Sequence, residues 1–295
     1  MEIERGRLVW ELLGRPTVEH AGEVWCTGGK TARKKLDSIQ GRIGRRLLGC
    51  SATVAGVAVR GELGWWSLEE RRERKKVLYG KRVVELGDER LVNRVVDHVS
   101  NVGGMGWWKE FEDLKEKYGG IEGSGSEVKK KIVRKVVDDW RSEVGDKVSL
   151  RNYELVKVGL EAEQYLGYLD SYESRVRFRL RTGSAGLMED KMRCKMRSDA
   201  RCVLCDDGVV EDIQHFLIGC VEFEGGRREL VEKIGGIVGA EGWIEEWNGV
   251  GEDGRGLLLL GKKVEGVDSE VAVEVDRSVG KAIARWWERR KRLVF

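Results

Sequence analysis

Residues 202–220 read CVLCDDGVVEDIQHFLIGC, a Cys202-x2-Cys205-x9-His215-x4-Cys220 spacing that sets how the rest of the chain is divided. Two intervening residues let the sulfurs of Cys202 and Cys205 face one point from a single tight turn. Three thiolates and one imidazole suit a borderline-soft ion, so the expected cofactor is Zn2+ in a closed tetrahedron, which makes the site structural. His215 and Cys220 are harder to reconcile. Five residues apart on a continuous helix, they point roughly 140° away from each other. Gly219 offers a remedy: a helix from about Glu211 ends there in a left-handed turn that swings Cys220 back. Two readings compete, buried or free thiols beside an ordinary histidine and a Cys202–Cys205 disulfide; the second is disfavoured because nothing marks the chain for secretion. Should His215 turn away, Cys194 is the substitute ligand.

Outward from this element, apolar residues recur at helical spacing. Leu36, Ile39, Ile43 and Leu47 form one stripe, with Arg33, Lys35, Arg42 and Arg46 on other faces. Ser67-Leu68-Glu69-Glu70 is a capping box opening a helix to about Leu86. Asp88 reads as the cap of a helix carrying Leu91, Val92, Val95, Val96 and Val99, and Trp107, Trp108, Phe111 and Leu114 begin another. Beyond GGIEGSGS at 119–126, Val128, Ile132, Val133, Val136, Val137 and Trp140 make a further stripe. Arg175-Val176-Arg177-Phe178-Arg179-Leu180-Arg181 alternates like a strand, but no partner strand is evident and Tyr172, Val176 and Leu180 fit a helix, which is preferred. Val271, Val273 and Val275 read as a short strand or a helix start, and Ser278 to Leu293 as a basic terminal helix. The expected fold is mainly α: a helical region over 1–118, a Gly/Ser linker at 119–126, helices over 127–200, the CCHC element at 201–222 and a helical segment over 223–295.

The 295 residues suffice for one large or two modest domains. No apolar run nears the ~18 residues of a membrane span, and the charged start lacks a signal-peptide layout, so no membrane and a cytoplasmic or nuclear location are expected. Forty glycines beside one proline fit a purine-skewed coding strand, which would leave many glycines in helices at up to ~1 kcal/mol each. The net charge of +3 hides segregation: residues 30–82 hold fifteen Lys/Arg against five Asp/Glu, 174–204 nine against three, 205–276 six against eighteen, and the last nineteen seven against one. Basic blocks on either side of a zinc pattern point to phosphate, with Arg33, Arg42, Arg45, Arg46, Arg175, Arg177, Arg179 and Arg181 as candidate contacts; Arg42, Arg45 and Arg46, or else Arg177, Arg179 and Arg181, are expected on a solvent-facing surface rather than paired to the acidic block. Of the pairs Trp65-Trp66, Trp107-Trp108 and Trp286-Trp287, one member each is expected in the core and the other at its edge; base stacking on Trp286 or Trp287 is the sharper alternative.

Several stretches resemble one family. AGEVW at 21–25, LDSIQGRIGRRLLG at 36–49 and GELGW at 61–65 are similar to the region that follows fingers and palm in reverse transcriptases of non-LTR (LINE-like) retrotransposons. LRTGS at 180–184, leading into the Cys202–Cys220 pattern, is similar to those proteins' C-terminal zinc-binding segment. The matches run from residue 20 to about 230 in the family's order. The resemblance implies a thumb-and-connector region plus a CCHC element that handles template RNA or target DNA, possible assembly with the full-length element polymerase, and no enzyme activity in this chain alone. The family's aromatic-x-Asp-Asp palm motif is missing: Asp138-Asp139 follows Val136-Val137, and Asp206-Asp207 lies inside the metal loop. A carboxylate–lysine nuclease site at Glu274, Asp276 and Lys281 is less plausible than a solvated helix or strand end. The rival from another class is a zinc-stabilised helical protein-interaction module whose contact surface is the acidic block.

Overall fold

The computed structural model describes residues 3–24, 29–86, 89–101, 106–205 and 207–294. Among them are fifteen α-helices and no β-strand, so the chain is mainly α-helical. The N-terminal helix runs as α1 (Ile3–Val9), a π turn at Trp10–Gly14 and α2 (Arg15–Val18). Then come α3 (Gly29–Leu48), α4 (Gly56–Leu63), α5 (Leu68–Val84), α6 (Leu91–Asn101), α7 (Trp107–Lys117), α8 (Gly125–Gly145) and α9 (Arg151–Val156). Next are α10 (Ser171–Arg181) and α11 (Met188–Arg193), and past the cysteine loop α12 (Glu224–Gly235), α13 (Glu241–Gly249), α14 (Glu252–Leu259) and α15 (Ser269–Val294). No helix among the described residues is long and apolar enough to cross a membrane.

The local signals explain several of these starts. Ser67 accepts from the Glu70 amide at 3.1 Å while the Glu70 carboxylate accepts from the Ser67 amide at 2.7 Å, so the α5 capping box forms as read. Asp170 and Glu173 do the same for α10, which settles the alternating arginine run as a helix. Val271, Val273 and Val275 likewise lie in α15. Asp88, read as a cap, lies outside the described residues.

The glycine-serine stretch does not separate two cores. Gly119, Gly120 and Gly123 take left-handed φ angles of 73°, 85° and 90°, and Ser124 then caps α8. The result is a tight turn, held by a 3.0 Å bond from Lys81 Nζ to the Ile121 carbonyl. Leu114 and Tyr118 before it share one core with Val128, Ile132, Val136 and Trp140 after it. The real division comes later, at α10. Phe178 belongs to the first core, while Val176 and Leu180, on another face of the same helix, belong to a second core with the cysteine loop and α12–α15.

Composition skew does not account for every helical glycine. A Cβ on Gly61 in α4 would lie 2.6 Å from Tyr153 Oη and 2.7 Å from the Trp140 ring, and one on Gly80 in α5 would collide with Phe111. At these positions two helices approach within reach only because no side chain intervenes. The tryptophan pairs split unevenly: Trp65 is buried and Trp66 half-buried, but Trp286 and Trp287 are both buried, removing them as stacking platforms.

Candidate metal centre

The loop that carries the cysteines is pinched at its base. Cys202 N–H donates to the Val209 carbonyl and Glu211 N–H to the Ala200 carbonyl, each at 2.8 Å, around an isolated antiparallel bridge between Arg201 and Val210. Gly208, at φ 65°, supplies a left-handed residue in the turn. Within it the Leu204 amide points at Cys202 Sγ at 3.4 Å, the orientation that supports a thiolate. Asp212 then opens the helical turn by accepting from the His215 amide at 2.6 Å.

Cys220 returns by a route that the spacing did not disclose. Gly219 does not adopt the expected left-handed conformation. Instead His215–Gly219 forms a π turn, closed by a 2.7 Å bond from Cys220 N–H to the His215 carbonyl. An i→i+5 turn holds one more residue than an α turn, so position five comes back to the face of position zero. Gly219 has a different use: a Cβ there would lie 3.3 Å from His215 Nδ1 and crowd the imidazole.

The four ligand atoms of Cys202, Cys205, His215 and Cys220 all lie within 4.8 Å of one another, and all four residues are buried. Cys205 Sγ and His215 Nε2 are 3.4 Å apart. A tetrahedron with metal–sulfur bonds near 2.3 Å has edges of about 3.8 Å, so a small inward adjustment would complete the shell. The donor set therefore fits a metal ion. Burial pushes the Cys220 thiol up to about 12 and raises that of Cys205 as well. A metal must displace these protons, which makes its binding pH-dependent and proton-releasing. Cys194 is exposed at the end of α11 and takes no part.

Surrounding groups fix the loop to the second core. Arg227 Nη2 donates to the Cys220 carbonyl at 2.9 Å. Glu211 receives a bidentate clasp from Arg290 of α15, both bonds 2.6 Å and both side chains 1% exposed, and also accepts from the Met188 amide. Glu222, just past the last ligand, pairs with Arg289. Phe216 meets Trp287 edge-to-face at 5.5 Å. Nothing in the local pattern announced the Glu211–Arg290 clasp, because its partners are 79 positions apart.

The arginines separate into two kinds. Arg42 and Arg46 are exposed on α3; Arg45 is half-buried and donates to the Val54 carbonyl at 2.9 and 3.1 Å. The Arg33 side chain lies outside what is described. Arg175 is half-buried and bonds the Leu47 carbonyl at the end of α3, while Arg179 bonds the Arg175 carbonyl; burial, then the neighbouring Arg175 charge, lower the Arg179 pKa. Neither has a carboxylate partner among the described residues. Arg177 and Arg181 correct the expectation of a solvent-facing set, being each 1% exposed. Arg177 binds the Asp276 carboxylate at 2.6 Å, inside the acidic block, so Asp276 is no solvated helix end. Arg181 binds Glu62 at 3.1 Å, Glu163 at 2.7 Å and the Leu260 carbonyl at 2.7 Å. The reason is helical phase. Residues 175 and 179 share one face of α10, and 177 and 181 share the face turned into the junction of the two cores.

That junction is fully packed with charge. Tyr165 lies beneath both guanidiniums, 5.0 Å from Arg177 and 4.9 Å from Arg181, and its hydroxyl donates to Glu62. Burial raises the Glu62 carboxyl above its ordinary value despite Arg181. Burial acts the same way on Glu163, but Arg181 and Lys157 outweigh it and hold that carboxyl down at about 2. No family model, curated protein or solved structure matches the chain.

Proposed function

We propose that this chain is a nucleic-acid-binding, zinc-containing part of a retrotransposon reverse transcriptase, corresponding to the thumb/connector and CCHC region of the non-LTR type. The observation that carries the reading is the convergence of Cys202, Cys205, His215 and Cys220, four residues whose spacing resembles the family's zinc-binding segment. Three sulfurs and one imidazole nitrogen favour Zn2+ among available ions. With every position filled by protein, the ion leaves no open site for substrate, and its work is to hold the loop closed. Nucleic acid is the partner on the strength of Arg42, Arg46, Arg175 and Arg179, cations with no carboxylate partner among the described residues, on α3 and α10 where the two helices meet. This chain has no catalytic role in this reading, because the resemblance covers only the family's thumb/connector and CCHC region; Asp139 of the Asp138-Asp139 pair is engaged with Lys135 at 2.7 Å on α8.

A protein-interaction module stabilised by zinc is the second reading. It draws support from the apolar face of the N-terminal helix, where Leu8, Val9, Leu12 and Leu13 are 41%, 55%, 69% and 68% exposed. Titration of fluorescent RNA and DNA oligonucleotides at several salt concentrations separates the two. Phosphate contacts weaken steeply with salt; absence of salt-sensitive binding would reject the first reading. Metal analysis of the purified protein should return one zinc per chain, lost on Cys205→Ser.

A further inference from the structure

The buried stripe of α15 runs through Val275, Val279, Ile283, Trp286 and Arg290. Its opposite face carries Lys281, Arg285, Arg289 and Arg292, all exposed. Steps of four, four and three keep them in one row about 17 Å long. Lys233 at the end of α12 faces the same space, and with the start of α10 they line an open groove of about 750 Å3 floored by Ala284.

The charge in this groove is predominantly positive, five cations against three carboxylates. Its three carboxylates are already engaged. Asp170 and Glu173 accept each other's amides in the α10 capping box at 2.7 and 3.1 Å, and Glu288 pairs with Lys291 at 2.8 Å. Lys233, Lys281, Arg285 and Arg292 make no ion pair among the described residues, and Arg289, paired with Glu222, is still 62% exposed. A row of cations with net positive charge on a rigid helix repels itself unless a repeating anion lies along it. Tyr172 adds an aromatic wall, with Lys291 5.0 Å from its ring centre, and it neighbours Arg179. A cation row beside an aromatic side chain is the arrangement that tracks a single strand, phosphates on the charges and a base against the ring.

We propose that this groove is a second phosphate site, taking the backbone of a single nucleic-acid strand along α15. It rests on the nucleic-acid reading above but uses different residues. The test compares the full-length chain with K281E/R285E and with R42E/R46E, and adds K281Q/R285Q in case reversal disturbs folding; zinc content and circular dichroism are checked for each. The probes are fluorescent single-stranded oligonucleotides and duplexes of equal length. K281E/R285E should weaken single-strand binding about tenfold at 0.1 M salt and flatten the log–log salt slope by about 1.4, or ~0.7 per contact. The duplex should be affected less. If the parent binds but neither α15 variant differs from it while R42E/R46E loses affinity, the groove is refuted and the function reading survives. If the parent binds no nucleic acid, the function reading itself fails. Equal loss for duplex and single strand overturns the single-strand assignment, and displacement by poly-glutamate as effective as by oligonucleotide points to an acidic protein instead.

Discussion

Arg181→Met tests whether the junction charges hold the two cores together. The side chain supplies a proton donor to Glu62, to Glu163 and to the Leu260 carbonyl, all from a position 1% exposed. Methionine fills much of the space but leaves Glu62, itself 0% exposed, with only the Tyr165 hydroxyl. Stranding a buried charge costs about 3–5 kcal/mol, and the unpaired Leu260 carbonyl adds about 1 kcal/mol. Against a total stability of about 5–15 kcal/mol, that is enough to unfold a large fraction of molecules. Urea unfolding followed by tryptophan fluorescence reads the loss. The loss should be greater at pH 7 than at pH 5. Glu62 has a raised folded pKa, so its favourable contribution is complete below its unfolded value and is lost as pH rises through the folded one; without Arg181 the folded value rises further and the loss extends to higher pH. Glu62→Leu combined with Arg181→Met removes both charges and leaves Glu163 with Lys157 at 2.8 Å, so it should recover to within about 2 kcal/mol of the parent. A deficit below about 1 kcal/mol in the single variant, or a double variant no better than the single, would refute the reasoning.

Glu163 predicts the opposite pH behaviour: its lowered pKa gives stability that is present above about 4.5 and lost as pH falls toward about 2, so Glu163→Gln should abolish on the order of 3 kcal/mol of acid sensitivity between pH 5 and pH 2 in denaturation curves. Gly61→Ala should destabilise by about 1–3 kcal/mol despite alanine's better helix propensity, because Tyr153 and Trp140 occupy the space. Gly225→Ala, with nothing within 4 Å of the new methyl, should gain a few tenths of a kcal/mol, and equal signs for the two would contradict the packing argument. Chelation, or Cys205→Ser, should lower the melting temperature and raise proteolysis within 200–222; Cys194→Ser, an exposed position, should leave metal content unchanged.

Helices were legible where their cause is local. The Ser67–Glu70 box and the Leu36–Leu47 stripe are decided within a few residues, and the structure forms them there; the Asp170–Glu173 box that opens α10 is equally local but was not read. The four-residue cluster was legible for the same reason, yet the path was not: a shared metal requires His215 and Cys220 to meet, but the spacing does not distinguish a left-handed cap from a π turn. Burial of individual charges was the least readable property. Arg177 and Arg179 are two positions apart in one alternating run, and what sends the first inward is Asp276, 99 residues away. A glycine-serine stretch has the composition of a linker whether it joins domains or, as here, returns the chain onto its own core.

Glu211 and Glu222 stand on either side of the His215–Cys220 turn and seize two consecutive residues of α15, Arg290 and Arg289. The loop's closure and the seating of the terminal helix therefore share one free energy. Linkage makes that sharing reciprocal: a metal that tightens the loop raises the affinity of α15 for its seat, and loosening α15 must lower metal affinity by the same factor. Arg290→Met, which replaces no member of the cysteine–histidine cluster, should thus be readable as a metal-affinity defect, and metal depletion as an unseating of the helix that carries the Lys281–Arg292 row, coupled to the cysteine loop through two carboxylates.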